Sequence, residues 1–242
     1  HQQQNQGPTD CIGCHAKIFD YLRLSGFYSL HGRALATAQG MKLANPRLKV
    51  VAFVGDGDAY GEGVAHLVFA AKRNSDITVI VHNNGTYGLT TGQYTPTSVR
   101  GFRGPSTPEG SVEEPFNPLT LALAAGAPFV ARGYPLKLEH LSDLFVRAIR
   151  HRGFALVDVL QPCVSFNNTY ELYNSLTAEM DGVPGSWEES IAAARRTDRL
   201  LLGVFRDATK KPFHEELLGE RVPAITRAGT RQRMKAIRKS LA

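Results

Sequence analysis

Apolar positions in this chain come in short unbroken runs that alternate with stretches of helical period. "LKVVAFVG" (residues 48–55) is continuous, β-branched and stops on a glycine, the pattern of a strand buried on both faces. "GVAHLVFAAKRN" (63–74) switches to a period near 3.6 and gathers Leu67, Ala70 and Ala71 on one helix face. "ITVIVHN" (77–83) reads as a second buried strand. "LEHLSDLFVRAIRHRG" (138–153) is an amphipathic helix ending on glycine, and "FALVDVLQPC" (154–163) is a further strand. Short buried strands alternating with helices predict an α/β fold, a mainly parallel sheet flanked by helices. Residues 91–118 are rich in Gly, Pro, Ser and Thr and long for a connector, so they are expected to form a functional loop rather than a domain boundary. No internal repeat interrupts this order.

Composition narrows the class. A chain of 242 residues, 43% of them hydrophobic, can bury a full core as one large domain. The expectation is a single α/β domain over residues 1–242, with a C-terminal docking extension from about 176 to 242. The formal charge of +6 is concentrated at the end, in "TRAGTRQRMKAIRKSLA". A solvated terminal helix or subunit-docking tail accounts for that run better than a nucleic-acid arm. No apolar run approaches the roughly 18 residues of a membrane span, and "HQQQNQGPTD" has none of the features of a signal peptide. A soluble, cytoplasmic protein without nucleic-acid or membrane partners is expected. Three cysteines, an odd number, argue against a secreted disulfide framework.

Two strand ends carry unusual chemistry. "VVAFVGDGDAYGEG" closes one buried run on acidic residues among glycines, and "VHNNGTYGLTTGQ" closes the next on paired asparagines. In parallel α/β sheets ligands bind beyond the carboxyl ends of the strands, which is where Asp56 and Asn84 fall. Gly55 and Gly57 allow the backbone to approach a bulky anion. A carboxylate, an amide oxygen and a nearby main-chain carbonyl suit Mg²⁺, which takes few protein ligands and completes its octahedron with water and phosphate oxygens. The residues therefore point to a magnesium–diphosphate cradle. The plainer alternative, two sharp turns in which Asp and Asn cap helices, loses ground because both motifs occur together at this spacing.

That spacing resembles the thiamine diphosphate signature. The wording resembles a narrower family: "LHGRALATAQGMKLANP", "GDGD", "AAKRNSDITVIVHNN", "YGLTTGQYTPTS" and "LQPCVSFNN" are similar, in the same order over residues 12–175, to the β subunit of 2-oxoacid:ferredoxin oxidoreductases. The resemblance implies a thiamine diphosphate-binding fold in which Asp56, Asn84 and the carbonyl of Thr86 bind Mg²⁺. It places His31, Gly32 and Arg33 near the cofactor, has Asp58 support the cradle, and wraps the diphosphate in Tyr87, Gly88, Leu89 and Thr90. Arg33 is by itself a natural partner for a phosphate, or for an ion pair at the start of its helix.

The same resemblance implies a 4Fe-4S cluster on four cysteines. Cys14 and Cys163 match two of them and are expected to approach each other. Cys11 stands where the family commonly has glycine, and three thiolates do not complete a Cys₄ site; a preceding segment, His15 or a partner residue as fourth ligand, and absence of a cluster all remain open. Lys17 and Thr91 are candidate substrate-facing residues, Lys17 being equally at home on the surface. "YGLTTGQ" leans toward the 2-oxoglutarate and broad 2-oxoacid branch. The implied reaction converts a 2-oxoacid and CoA to acyl-CoA and CO₂, with electrons passed to ferredoxin. The glutamate that activates the cofactor is expected from an α subunit. A non-redox thiamine decarboxylase or synthase half, and a non-catalytic scaffold subunit, are the competing readings.

Overall fold

The structure is a computed structural model that describes residues 6–10, 13–224 and 230–240. Its sheet is built from β1 (Gln6–Asp10), β2 (Phe27–Tyr28), β3 (Lys49–Gly55), β4 (Thr78–Asn83), β5 (Phe129–Gly133), β6 (Ala155–Leu160), β7 (Thr177–Glu179) and β8 (Leu200–Asp207). The strands lie in the order β2-β1-β3-β4-β6-β5-β8-β7. All pairs are parallel except β5 with β8, whose antiparallel register shifts at Val130/Ala131. Helices α1 (Ala34–Ala44), α2 (Val64–Arg73), α3 (Pro118–Ala124) and α4 (Leu138–Arg150) connect the parallel strands. α5 (Tyr170–Leu176), α6 (Trp187–Ala194), α7 (Phe213–Leu218) and α8 (Thr230–Ser240) follow.

Side chains alternate across the sheet into two cores. Leu35, Ala38, Leu67, Ala71, Leu119 and Leu123 of α1, α2 and α3 close on Val50, Val54, Val79, Val81 and Leu156. On the other face Leu141, Leu144 and Ala148 of α4 close on Ile80, Phe129, Val157 and Val159. Each fully buried leucine of this kind contributes about 2 kcal/mol. β4 and β6 are covered on both faces, as their uninterrupted apolar runs predict. β3 differs: only Val50, Ala52 and Val54 are buried, while the alternate positions are half-buried. The reason is that α4 packs on β5, β6 and β8 and leaves the second face of β3 partly uncovered.

Two boundaries differ from the sequence expectation. The run expected to reach residue 163 leaves the ladder after Leu160, where Gln161 still donates its N–H to the carbonyl of Asn83 and Pro162 has no N–H to offer. Cys163 then pairs with Asn167 in a short antiparallel bridge. Within the extension expected from about residue 176, β7 and β8 complete the antiparallel edge of the sheet. Helix α8 carries Arg231, Arg233, Lys235, Arg238 and Lys239, all exposed. None of the described helices is long and apolar enough to cross a membrane.

A left-handed residue sets the entry into β4. Asn74 follows α2 at φ 53°, a conformation asparagine tolerates better than most residues. Its side chain accepts the N–H of Phe154 and donates to the carbonyls of Lys210 and Lys211, so one buried amide joins three segments at the floor of the sheet. The opposite, carboxyl end of β3 and β4 is thereby left to carry the chemistry.

Candidate cofactor site

β3 does not run directly into α2. Asp56 takes helical φ and ψ, and residues Gly57–Glu62 make a π-helical turn before α2 begins. Such wide turns occur mostly where a helix is bent to serve a site. The Asp56 side chain makes no capping bond to this turn, which removes the cap alternative for that residue. Its Oδ2 instead accepts the hydroxyls of Thr95 at 2.5 Å and Thr97 at 2.6 Å, while Oδ1 accepts only a long N–H bond from Asn84 at 3.4 Å. Asp56 is 1% exposed. Burial pushes its carboxyl up to about 6, against the lowering effect of the two hydroxyls and the Asn84 N–H. No positive side chain is among the groups that shift it.

The pH consequence follows from the sign of that shift. The folded chain holds the Asp56 proton up to about pH 6, whereas the ordinary carboxylate value is 3.8. The group therefore favours folding fully only below about pH 3.8 and loses that contribution, roughly 3 kcal/mol, progressively as pH rises from there to about 6. In the absence of divalent cation, Asp56→Asn is expected to melt above the unmodified chain at pH 7, by about half as much at pH 5, and close to it only below about pH 4. Equal melting offsets across these pH values would contradict the burial effect.

Asn84 follows β4, and its Oδ1 accepts the N–H of Thr86 at 3.1 Å in a turn closed two residues on. Its own carbonyl is held by Asn167 Nδ2 at 2.8 Å, which ties this turn to the segment carrying Cys163. Below it, the buried Asn83 amide donates to Asp158, itself paired with Arg132 Nε at 3.0 Å and Tyr60 at 2.9 Å. The Tyr87 ring lies on Gly57, where a Cβ would stand 2.3 Å from a ring carbon, so only glycine permits this closure. Partial burial and the neighbouring Glu62 and Asp58 carboxylates hold the Tyr87 phenol well above its ordinary value.

Asp58, 4% exposed, faces the same cavity from the π-helical turn. Its Oδ1 meets His31 Nδ1 at 2.6 Å, and its Oδ2 lies 3.5 Å from His15 Nε2. Gly32, at φ 67°, lets the chain turn from His31 into α1 past Glu62. His82 donates from Nδ1 to Gln161 Oε1 at 2.5 Å, and burial next to His15 lowers it to about 4. It is therefore a neutral ring at pH 7, stacked 5.9 Å from His15.

The structure brings most of the sequence-derived candidates to one cavity: Cys14, His15, His31, Gly55, Asp56, Gly57, Asp58, Asn84, Thr86, Tyr87, Gly88, Leu89 and Thr90 line it. Cys163 stands just behind. A Cβ on Gly88 would lie 3.4 Å from Cys14 Sγ and 3.8 Å from Cys163 Sγ, so the two thiols flank one glycine. Both are free thiols. Arg33 lies outside the cavity, exposed, with its guanidinium on the carbonyl of Gly32 at 3.4 Å. Lys17 is exposed and paired with Asp20 at 3.1 Å, in a shallower pocket shared with Cys14, Tyr28 and Leu89. Thr91 is exposed at φ 77°, a strained conformation for a β-branched residue. Cys11 lies outside the described residues. Thr95, Thr97, His82 and Gln161 were not singled out as site residues; for the two threonines the sequence signals were the length and composition of the 91–118 loop and their place in the "YGLTTGQYTPTS" motif.

Residues 11–159 match the family model for the thiamine pyrophosphate enzyme C-terminal TPP-binding domain. A 2-oxoacid:ferredoxin oxidoreductase β subunit of Aeropyrum pernix is 41% identical over 232 residues, which cover 89% of this chain and 73% of that protein. The chain belongs to the 2-oxoacid:ferredoxin oxidoreductase β subunits. A member of this family from Saccharolobus solfataricus is likewise 41% identical, over 88% of this chain and 76% of its own length. The fold agrees: the solved 2-oxoglutarate:ferredoxin oxidoreductase of Magnetococcus marinus, with 2-oxoglutarate, coenzyme A and succinyl-CoA bound, superposes with a TM-score of 0.87 at 30% identity. That alignment covers 98% of this chain and 83% of the solved one. For this β-subunit family member, residues 11–159, which carry β3, β4, β5 and most of β6, match the thiamine pyrophosphate-binding domain.

Proposed function

We propose that this chain is the cofactor-binding half of an enzyme that oxidatively decarboxylates a 2-oxoacid, 2-oxoglutarate or a broader set, with CoA as acyl acceptor and ferredoxin as electron acceptor. The observation that carries the reading is Asp56: a buried carboxylate lining the cavity, with one oxygen bound by two hydroxyls, the other holding only a long N–H bond, and no ion pair among the described residues. Such a group calls for a cation. Asp56 Oδ1, Asn84 Oδ1 and the Thr86 carbonyl form a hard-oxygen set of the kind Mg²⁺ takes together with phosphate and water. Gly57, Gly88, Leu89 and Thr90 would cradle the diphosphate, and the Tyr87 ring would close over it.

Thiamine diphosphate, when bound, supplies the carbanion and electron sink for the departure of CO₂. The chain's own residues bind and orient it. Asp58 fixes the His31 ring at the cavity wall, and His82, held neutral by burial, adds no charge beside the cofactor. Cys14 and Cys163 are the thiols that fit an iron–sulfur cluster next to that site, on the route by which electrons would leave for ferredoxin. His15, considered as a further ligand, is engaged by Asp58 and stacked on His82. Lys17 and Thr91 remain candidates at the rim for the substrate's far end.

Among the described residues the cavity lining holds no glutamate, and Glu62, beside His31 and Asp58 and next to Tyr87, stands exposed at its edge. The reading therefore assigns the cofactor-activating glutamate to an α subunit. The chain purified alone is expected to give no 2-oxoacid-dependent ferredoxin reduction, and to give it once an α-type subunit is added. Comparable turnover by the isolated chain would overturn this division of labour.

A further inference from the structure

We infer that Thr97, together with Thr95, is a positioning residue for the cation, acting through Asp56; the inference rests on the cradle reading and goes beyond it. A carboxylate has two oxygens that can exchange roles by rotation about its last torsion, and Mg²⁺ demands near-ideal octahedral geometry at about 2.0–2.1 Å. A ligand oxygen free to swing is therefore a poor one. In this chain the two oxygens are not equivalent. Oδ2 is bound at 2.5 Å by Thr95 Oγ1 and at 2.6 Å by Thr97 Oγ1, whereas Oδ1 has only the Asn84 N–H at 3.4 Å. The hydroxyls take one oxygen out of play and aim the other at the cavity.

The two hydroxyls come from the 91–118 loop, which arrives over the ends of the strands and is itself tied down. Ser98 Oγ donates to the carbonyl of Gly85 at 2.7 Å and accepts the N–H of Thr95 at 2.7 Å. The Ser98 N–H closes the turn on the Thr95 carbonyl at 3.0 Å, and the Phe116 N–H reaches back to Pro96 at 2.7 Å. Thr95 and Ser98 are 2% and 4% exposed. On its other side Thr97 Oγ1 lies 2.8 Å from Asn83 Oδ1, so its hydroxyl is bracketed between β4 and Asp56. The loop thus serves the metal ligand as a splint, without contributing a ligand itself.

The test uses the α/β enzyme freed of cofactor, with thiamine diphosphate titrated calorimetrically at fixed Mg²⁺. Thr97→Val keeps the branched shape and removes the hydroxyl, so binding is expected to weaken about tenfold, the worth of one hydrogen bond to a charged group. Thr97→Ala should weaken it as much, and Thr97→Ser should restore it to within about twofold. Unchanged affinity in the folded valine variant, or a serine variant as weak as the valine one, would overturn the inference, because packing alone would then explain the threonine. Asp56→Ala run alongside separates the two levels. If it loses binding while Thr97→Val does not, the positioning role alone fails; if it too binds normally, the cradle itself is wrong.

Discussion

Asp56→Ala is expected to raise the dissociation constant for thiamine diphosphate in Mg²⁺ by at least about 100-fold, with the sheet intact. Loss of binding follows from removing the buried carboxylate at the carboxyl end of β3, whose Oδ1 lies against the Asn84 N–H, the start of the turn that Asn84 closes on Thr86. Retention of the fold follows from the same burial. A carboxylate pushed up to about 6 is a cost to the cation-free chain, and alanine removes that cost. The hydroxyls left behind have other partners, since Thr95 Oγ1 lies 3.2 Å from Thr97 Oγ1 and 3.4 Å from Ser98 Oγ. Calorimetric titration with and without Mg²⁺, beside a melting curve, decides it. A variant that still binds with near-normal affinity would leave the buried carboxylate without a function.

The second large effect concerns Cys163. Cys163→Ser is expected to remove bound iron and ferredoxin reduction together while leaving thiamine diphosphate binding within about twofold. The warrant is geometric: thiols 149 positions apart in the chain flank Gly88, one on a turn after β1 and one after β6. A cysteine needed only for packing would fall inside the apolar run, at Val157 or Val159, not beyond a Gln-Pro step. Iron content and visible absorbance of the α/β enzyme, read beside cofactor affinity, separate the roles. If the serine variant keeps its iron, electrons leave by another route; if the unmodified enzyme carries none, the non-redox thiamine reading gains instead.

Elements with an unbroken apolar rhythm were readable from the amino-acid order: β4 and α2 lie where their patterns place them to within a residue, and α4 starts where expected but ends at Arg150, three residues before the glycine. β1 was not, because "QGPTD" has neither apolar alternation nor β-branched enrichment and is recruited by the neighbouring edge of β3. β8 has an apolar run, yet its antiparallel place beside β5 is a tertiary choice that no local period encodes. The site divides the same way. Asp56 and Asn84 announce themselves because polar residues among glycines at strand ends need a reason. Thr95 and Thr97 do not, since hydroxyls in a loop of Ser, Thr and Pro become meaningful only when the loop folds back onto a carboxylate. Asp58 gained its partner His31 across 27 positions, a distance no local rule spans.

No residue of the turn Cys14–Asp20 is buried as a whole, and the turn reaches inward through the His15 ring, beside Asp58 and stacked on His82. Segments with so little apolar anchorage open at far lower free energy than the sheet they rest on, as separate cooperative units in hydrogen exchange. One wall of the site can therefore breathe on its own while β3 and β4 stay locked. A metal cluster assembled across that wall would act as a clasp, converting a loosely moored turn into part of the rigid body.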